Sequence, residues 1–260
     1  MPSPTFSFFT KNRINSGSTF VMTSAPSIST SALFDRKRTP KLTSVGSDDV
    51  TDEVWQITFT GDVAKDISAI LIDNHNIKSG NVKYWNGSSY VDFSPAISLS
   101  GNSDETSFFS FPQVSTSRLQ FTFSTTFVVD AQKYVGEIMA FDLIGTPSRP
   151  PASFVISQKE RSVIHETANG GNVYVFFGKK SKIKLTFSDA SYSDIDLFLS
   201  LKELGDVFFI YPSGGEYEGV DIGLRMQDIY QVNYVNDFSP NLKSNILEIN
   251  QSLALELQET

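Results

Sequence analysis

His165-Glu166-Thr167-Ala168-Asn169 comes one residue short of His-Glu-x-x-His, the pattern by which a helix offers two imidazoles to zinc beside a glutamate base. Asn169 stands where the second ligand would be, and Gly170-Gly171 would end any helix that aligned the pair. His165 therefore reads as a strand-and-loop residue. His75 is the only other histidine, and there is no cysteine, which excludes thiolate metal sites, disulfides and cysteine nucleophiles. Catalysis needs a nucleophile, a base and a group that orients them, and this repertoire is thin. The expectation is a protein that is not an enzyme, with no catalytic residue, no cofactor and no metal.

Two further groups could bind rather than react. Asp48, Asp49, Asp52 and Glu53 cluster before a strand, where calcium could collect oxygen ligands from a loop; their spacing is no EF-hand, and a solvated acidic turn is the simpler reading. Trp85 and Tyr90 flank Asn86-Gly87 and could stack on a sugar ring, or could be a cross-strand pair that steadies a hairpin. Gly214-Gly215 lacks the lysine of a phosphate-cradling loop, and no pair of carboxylates stands out as a glycosidase couple.

The elements that must carry these residues alternate with period two. Trp55, Ile57 and Phe59 interleave with Gln56, Thr58 and Thr60; Leu119, Phe121 and Phe123 with Gln120, Thr122 and Ser124; Ile183, Leu185 and Phe187 with Lys182, Lys184 and Thr186. Such alternation sorts side chains onto a dry and a wet face of a strand. Ile70-Leu71-Ile72 is a short apolar run that reads as a strand covered on both sides. Asn86-Gly87 tolerates the positive φ of a tight hairpin; Gly170-Gly171 and Pro212-Ser213-Gly214-Gly215 mark further turns. Ser191 to Leu204 predicts one helix, with Ser193 as its cap, Asp194 and Asp196 at its positive end and Gly205 as its stop. Ile246 to Leu257 predicts a long terminal strand that must pair within this chain or with a neighbour. Pro147, Pro150 and Pro151 suggest a stiff linker, hence domains at 12–146 and 152–260.

Composition narrows the partners. Twenty-two phenylalanines argue for packed cores, and a net charge of −8 repels a phosphate backbone, so nucleic acid is excluded as a partner. The basic run Arg36-Lys37-Arg38 is too short to change that. No apolar run approaches the ~20 residues of a membrane helix, and Met1 to Thr10 lacks the pattern of a signal peptide, so no membrane role is expected.

The order of features resembles a known family. Ser31-Ala32-Leu33-Phe34-Asp35 followed by Trp55-Gln56-Ile57-Thr58-Phe59 resembles the opening of a discoidin-type or galactose-binding-like jelly roll. Ala69 to Ile77, with Asn74-His75-Asn76, and Tyr134 to Phe141 are similar to segments of tailed-bacteriophage virion proteins that carry such a domain. The resemblance implies a mainly β chain: an N-terminal β-sandwich jelly roll plus a C-terminal β-rich domain with one short helix. It implies polar loop residues at 74–76 that brace a turn. It also implies a distal-tail or baseplate adaptor, located in the virion and made in the host cytoplasm, whose partners are other tail proteins and copies of itself in a ring. Ile195, Phe198, Leu199, Leu253, Leu255 and Leu257 are the expected assembly residues. The alternative is a carbohydrate-binding module that grips host surface glycan through Trp85 and Tyr90.

Overall fold

A computed structural model describes residues 6–34, 41–149, 151–166, 172–187, 190–204, 207–210, 229–234 and 253–259. The first half contains β1 (Ser7–Thr10), β2 (Thr19–Met22), β3 (Ala25–Pro26), β4 (Leu42–Val45), β5 (Glu53–Thr58), β6 (Lys65–Asp73), β7 (Ile77–Trp85), β8 (Tyr90–Ser98), β9 (Thr106–Thr116), β10 (Arg118–Thr126), β11 (Tyr134–Val135), β12 (Glu137–Phe141) and β13 (Leu143–Gly145). The second contains β14 (Ser153–Glu166), β15 (Asn172–Phe187), α1 (Tyr192–Leu204), β16 (Val207–Ile210), β17 (Ile229–Tyr234) and β18 (Leu253–Glu259). The chain folds as two compact units, one built mainly from Asn12–Leu143, the other from Thr5–Lys11, Ile144–Tyr211 and Ile229–Thr260.

The first unit is a jelly-roll sandwich. One sheet runs β2-β5-β10-β7-β8, the facing one β12-β6-β9, and a small sheet β11-β4-β3 lies beside them. The strand pairings among the described residues are antiparallel, and β10 sits between β5 and β7, so neighbours in the sheet are far apart in sequence. The predicted alternation is what fills the space between sheets. Trp55, Ile57, Leu119, Phe121 and Phe123 meet Ile70, Ile72, Phe109, Ile138 and Ala140 in one apolar cluster. The Trp55 and Phe123 rings meet edge to face with centroids 5.1 Å apart. Burying such side chains contributes roughly 1.5–3 kcal/mol each. Ala69, Leu71 and Met139, on the other parity, are buried too, so β6 and β12 are covered on both faces as the Ile70-Leu71-Ile72 run predicts.

The second unit is β-rich with a single helix among the described residues. Its sheet runs β13-β1-β16-β17-β18-β15-β14. Phe6 and Phe8 from the start of the chain join Ile183, Leu185, Phe187, Ile195, Phe198, Leu201 and Leu255 in its core. The helix begins one residue later than predicted, and its cap differs. Ser191 rather than Ser193 closes the end: Asp194 N donates to Ser191 Oγ (3.2 Å) while Ser191 N donates back to the Asp194 carboxylate (2.9 Å). That reciprocal pair satisfies two orphan donors at once, which Ser193 cannot do from inside the first turn. Ser193 Oγ instead lies 2.8 Å from Ser191 Oγ. Gly205, Pro212-Ser213-Gly214-Gly215, Gly170-Gly171, Arg36-Lys37-Arg38 and residues 246–252 lie outside the described residues.

The terminal strand is central. β18 pairs β15 on one side and β17 on the other, so its partners are its own chain. Three of the expected assembly residues are thereby corrected. Ile195, Phe198 and Leu255 are 5%, 0% and 0% exposed and belong to the core of their own unit, leaving no side-chain surface for a neighbour. Leu199 is 39% exposed and stays available. Leu253 and Leu257 are placed by backbone register alone, opposite Phe187 and Ile183.

Candidate functional site

Trp85 ends β7 and Tyr90 begins β8, and the two residues are direct cross-strand partners. The connection between them is a four-residue loop, longer than the tight turn Asn86-Gly87 suggests. Asn86 Oδ1 accepts from Ser88 N, Ser88 Oγ and Ser89 N, each at 3.0 Å, and Gly87 takes φ +102°. An asparagine that folds its own loop in this way pre-organises the hairpin tip. The rings meet at 5.2 Å with a 66° interplanar angle, an edge-to-face pair.

β10 brings Arg118 to the same end of the sheet, where Asp62 of the turn Thr60–Asp62 meets it. The Arg118 guanidinium lies 5.1 Å from the Trp85 ring centroid, within cation–π range. Its Nε donates to Asp62 Oδ1 at 2.9 Å and its NH2 group donates to Asp62 Oδ2, a bidentate fork. The hydrogen bond from Arg118, followed by one from Ser117, holds the Asp62 carboxyl down at about 2. Partial burial pushes the Tyr90 phenol up. Thr116, 1% exposed, is the pin: its Oγ1 accepts from Trp85 N (3.1 Å) and Arg118 N (3.2 Å) and lies 2.9 Å from the carbonyl oxygens of both. The site thus has two half-buried aromatic rings and a guanidinium on adjacent strands, with a carboxylate supplied by the short turn Thr60–Asp62 between β5 and β6. It offers π faces for C–H groups and polar edges for hydroxyls, but no nucleophile–base couple.

Arg118, Asp62 and Thr116 escape sequence reading. Arg118 opens a strand whose alternation is plain, yet nothing in the sequence says that β10 lies beside β7.

The acidic group is an exposed turn at Asp48 and Asp52, as the sequence suggests, with Glu53 alone drawn into the interior. Asp48 spends its carboxylate on its own loop, accepting from Val50 N (3.0 Å), Thr51 N (2.5 Å) and Thr51 Oγ1 (2.9 Å). Hydrogen bonds from Thr51 and then Val50 hold that carboxyl low. Glu53 is 2% exposed and accepts from Ser24 N and Ser24 Oγ, both at 2.8 Å. No group of three or more histidine, aspartate or glutamate side chains is placed to hold a metal among the described residues.

Both histidines lie on extended backbone or its connections. His165 sits in β14 opposite Val173, so the helical spacing of a zinc motif is absent there; Asn169 lies outside the described residues. His75 is fully buried between β6 and β7. Its Nδ1 accepts from Ile77 N (3.1 Å), which leaves the proton on Nε2, 3.0 Å from Ser107 Oγ. Burial lowers its pKa to about 4. On either side, Asn74 takes φ +54°, and Asn76 donates to Gln132 O (2.8 Å) and accepts from Tyr134 N (2.9 Å).

No protein-family model matches the sequence, and no curated protein matches it. Solved structures similar to it include chitosan-binding module 1 of a chitosanase/glucanase from Paenibacillus sp. IK-5 (TM-score 0.41, 10% identity, 50% of this chain and 97% of that one). The family 32 CBM of C. perfringens NanJ in complex with galactose is another (TM-score 0.41, 14% identity, 51% and 98%). A third is a Clostridium perfringens module in complex with GalNAc-β-1,3-galactose (TM-score 0.39, 12% identity, 48% and 95%). These likenesses assign this chain no ligand.

Proposed function

We propose that the jelly-roll unit is a glycan-binding module and that Trp85, Tyr90, Arg118 and Asp62 form its contact set. The observation that supports this most is the joint placement of two half-buried rings and a bidentate Arg–Asp pair beside one exposed hairpin tip. A sugar ring has an apolar C–H face and a rim of hydroxyls, so it needs a π surface and fixed donors and acceptors together. The Asn86 loop and the Thr116 pin hold that arrangement before any ligand arrives, which reduces the ordering cost of binding. The role is binding without turnover. Titration of the protein with soluble oligosaccharides tests it: saturable binding is expected, and Tyr90→Ala should weaken it at least tenfold, or ~1.4 kcal/mol, with thermal unfolding of the variant as the folding control. Unchanged binding in a folded Tyr90→Ala protein would remove the site from the proposal.

A second reading, a virion tail component that assembles with copies of itself and other tail proteins, draws support from the other unit. Among the described residues, β18 pairs β15 over Lys182–Phe187, while the rungs from Gln158 opposite Ser181 to Glu166 opposite Asn172 join β14 to β15 without a third strand. A two-stranded ribbon is marginally stable by itself, so a covering surface would steady it. Light scattering across a concentration series tests this: a defined oligomer is expected, and a monomer at all concentrations would count against it. In a multicopy particle the two roles reinforce each other, since repeated weak glycan contacts add through avidity.

A further inference from the structure

Among the described residues, Lys133 breaks the rule that lysines stay wet. Its side chain is fully buried although it belongs to an acidic, exposed neighbourhood. The ammonium donates to the backbone carbonyl of Asp48 and, at 2.7 Å, to that of Thr51. Its backbone is tied to the same turn: Lys133 N donates to Ser47 Oγ (3.0 Å), Ser44 N donates to Lys133 O (2.9 Å), and Ser47 Oγ donates to Ser44 O (2.7 Å). Gly46 takes φ +84°, a left-handed conformation that glycine adopts freely, which lets the turn bend round the ammonium. Burial pushes the Lys133 pKa down, while the charges of Asp48, Glu53, Asp52 and Asp49 act in the opposite direction.

We propose that residues 47–53 form a cation-binding loop whose cation is built in: the Lys133 ammonium sits where an ion would sit, the folded unit needs no divalent metal, and removal of that side chain opens a site for calcium. The donors that face the ammonium are carbonyl oxygens, and the field around them comes from four carboxylates. Oxygen-only donors on a loop suit a hard cation. Calcium is favoured over magnesium because it accepts irregular coordination and sheds water readily. An uncompensated buried ammonium would be costly, so the pairing of Lys133 with these carbonyls marks a place shaped for positive charge rather than one that tolerates it.

The test uses the full chain and follows thermal unfolding by tryptophan fluorescence, with CaCl2, MgCl2 and NaCl at matched ionic strength and EDTA as control. The wild-type midpoint should be indifferent to EDTA and to calcium. Lys133→Ala should melt lower and recover about 3–5 °C in 10 mM CaCl2, as for a millimolar site, with a smaller response to magnesium. A calcium response in Lys133→Ala no larger than in wild type, or a wild-type midpoint that falls in EDTA, would overturn the proposal. Should Lys133→Ala fold only when calcium is present, the proposal stands. If the variant fails to fold in every buffer, the wild-type protein decides: a lysine ammonium proton signal protected from exchange at neutral pH supports a caged cation, and its absence rejects it.

Discussion

His75 allows a stability change to be worked out from structure and then measured. Nδ1 is committed to accepting from Ile77 N, so protonation there sets two donors against each other inside a dry site. The folded-state pKa is about 4, against an ordinary value of 6.5. Because the folded value is the lower one, the unfolded chain takes up the proton first as pH falls. Stability is therefore fully present above about pH 6.5, is lost progressively between 6.5 and 4, and levels off below that, with a total loss of about 3 kcal/mol at 1.36 kcal/mol per pH unit. Between pH 7.5 and 5.5, above the range where most carboxylates titrate, the loss is about 1.3 kcal/mol. The assay is urea unfolding at the two pH values followed by tryptophan fluorescence. Both tryptophans, Trp55 and Trp85, lie in the jelly-roll unit, so the signal reports that unit. His75→Asn is the comparison, since an asparagine oxygen can still accept from the N–H two residues on. The wild type should lose about 1.3 kcal/mol more than His75→Asn over this interval. Equal losses in the two proteins would refute the assignment of a buried neutral imidazole.

Other expectations concern single side chains. Asp194, 5% exposed, accepts from Ser148 N (2.7 Å), Ser148 Oγ (2.6 Å), Ser191 N and Ser191 Oγ, so Asp194→Ala should destabilise the second unit by about 2–3 kcal/mol in denaturant unfolding monitored by circular dichroism. Burial raises the Asp194 pKa but the Ser148 and Ser191 hydrogen bonds outweigh it; the carboxylate's contribution should persist above the ordinary 3.8 and vanish as pH falls through the lower folded value. Gly80→Ala drives a Cβ into the Thr122 carbonyl oxygen across the β7–β10 pair and should cost ~2–3 kcal/mol, whereas Gly87→Ala meets nothing and should cost only the ~1 kcal/mol of its positive φ. Phe198→Ala empties the centre of the second core and should cost roughly 3–5 kcal/mol, or prevent that unit from folding.

Much of this fold is written in strand parity. Trp55/Ile57, Leu119/Phe121/Phe123 and Ile183/Leu185/Phe187 are buried as their alternation implies, because a strand's two faces are fixed by covalent geometry. The helix at 192–204 was legible for a similar reason, since Ile195, Phe198 and Leu201 follow its own period. What stayed illegible depends on which strands become neighbours. Arg118 and Trp85 are 33 residues apart along the chain and meet because β10 inserts beside β7. Lys133 and Asp48 are brought together by the pairing of β11 with β4. Local pattern carries no record of such crossovers, which is also why the exposed acidic turn at 48–53 is legible but the lysine that its carbonyls enclose is not. The same gap explains the misplaced assembly residues: apolar periodicity marks Phe198 and Leu255 for burial without saying whether the covering surface belongs to the same chain.

The most direct test of the glycan reading is a panel of soluble neutral and acidic oligosaccharides titrated by NMR against wild type and Trp85→Ala, with the unfolding midpoint of each protein as control. At least one sugar should saturate wild type with shifts centred on Trp85, Tyr90 and Arg118, and Trp85→Ala should weaken it tenfold or more. A folded wild-type protein that no sugar saturates, or a Trp85→Ala protein that binds as tightly, would contradict it.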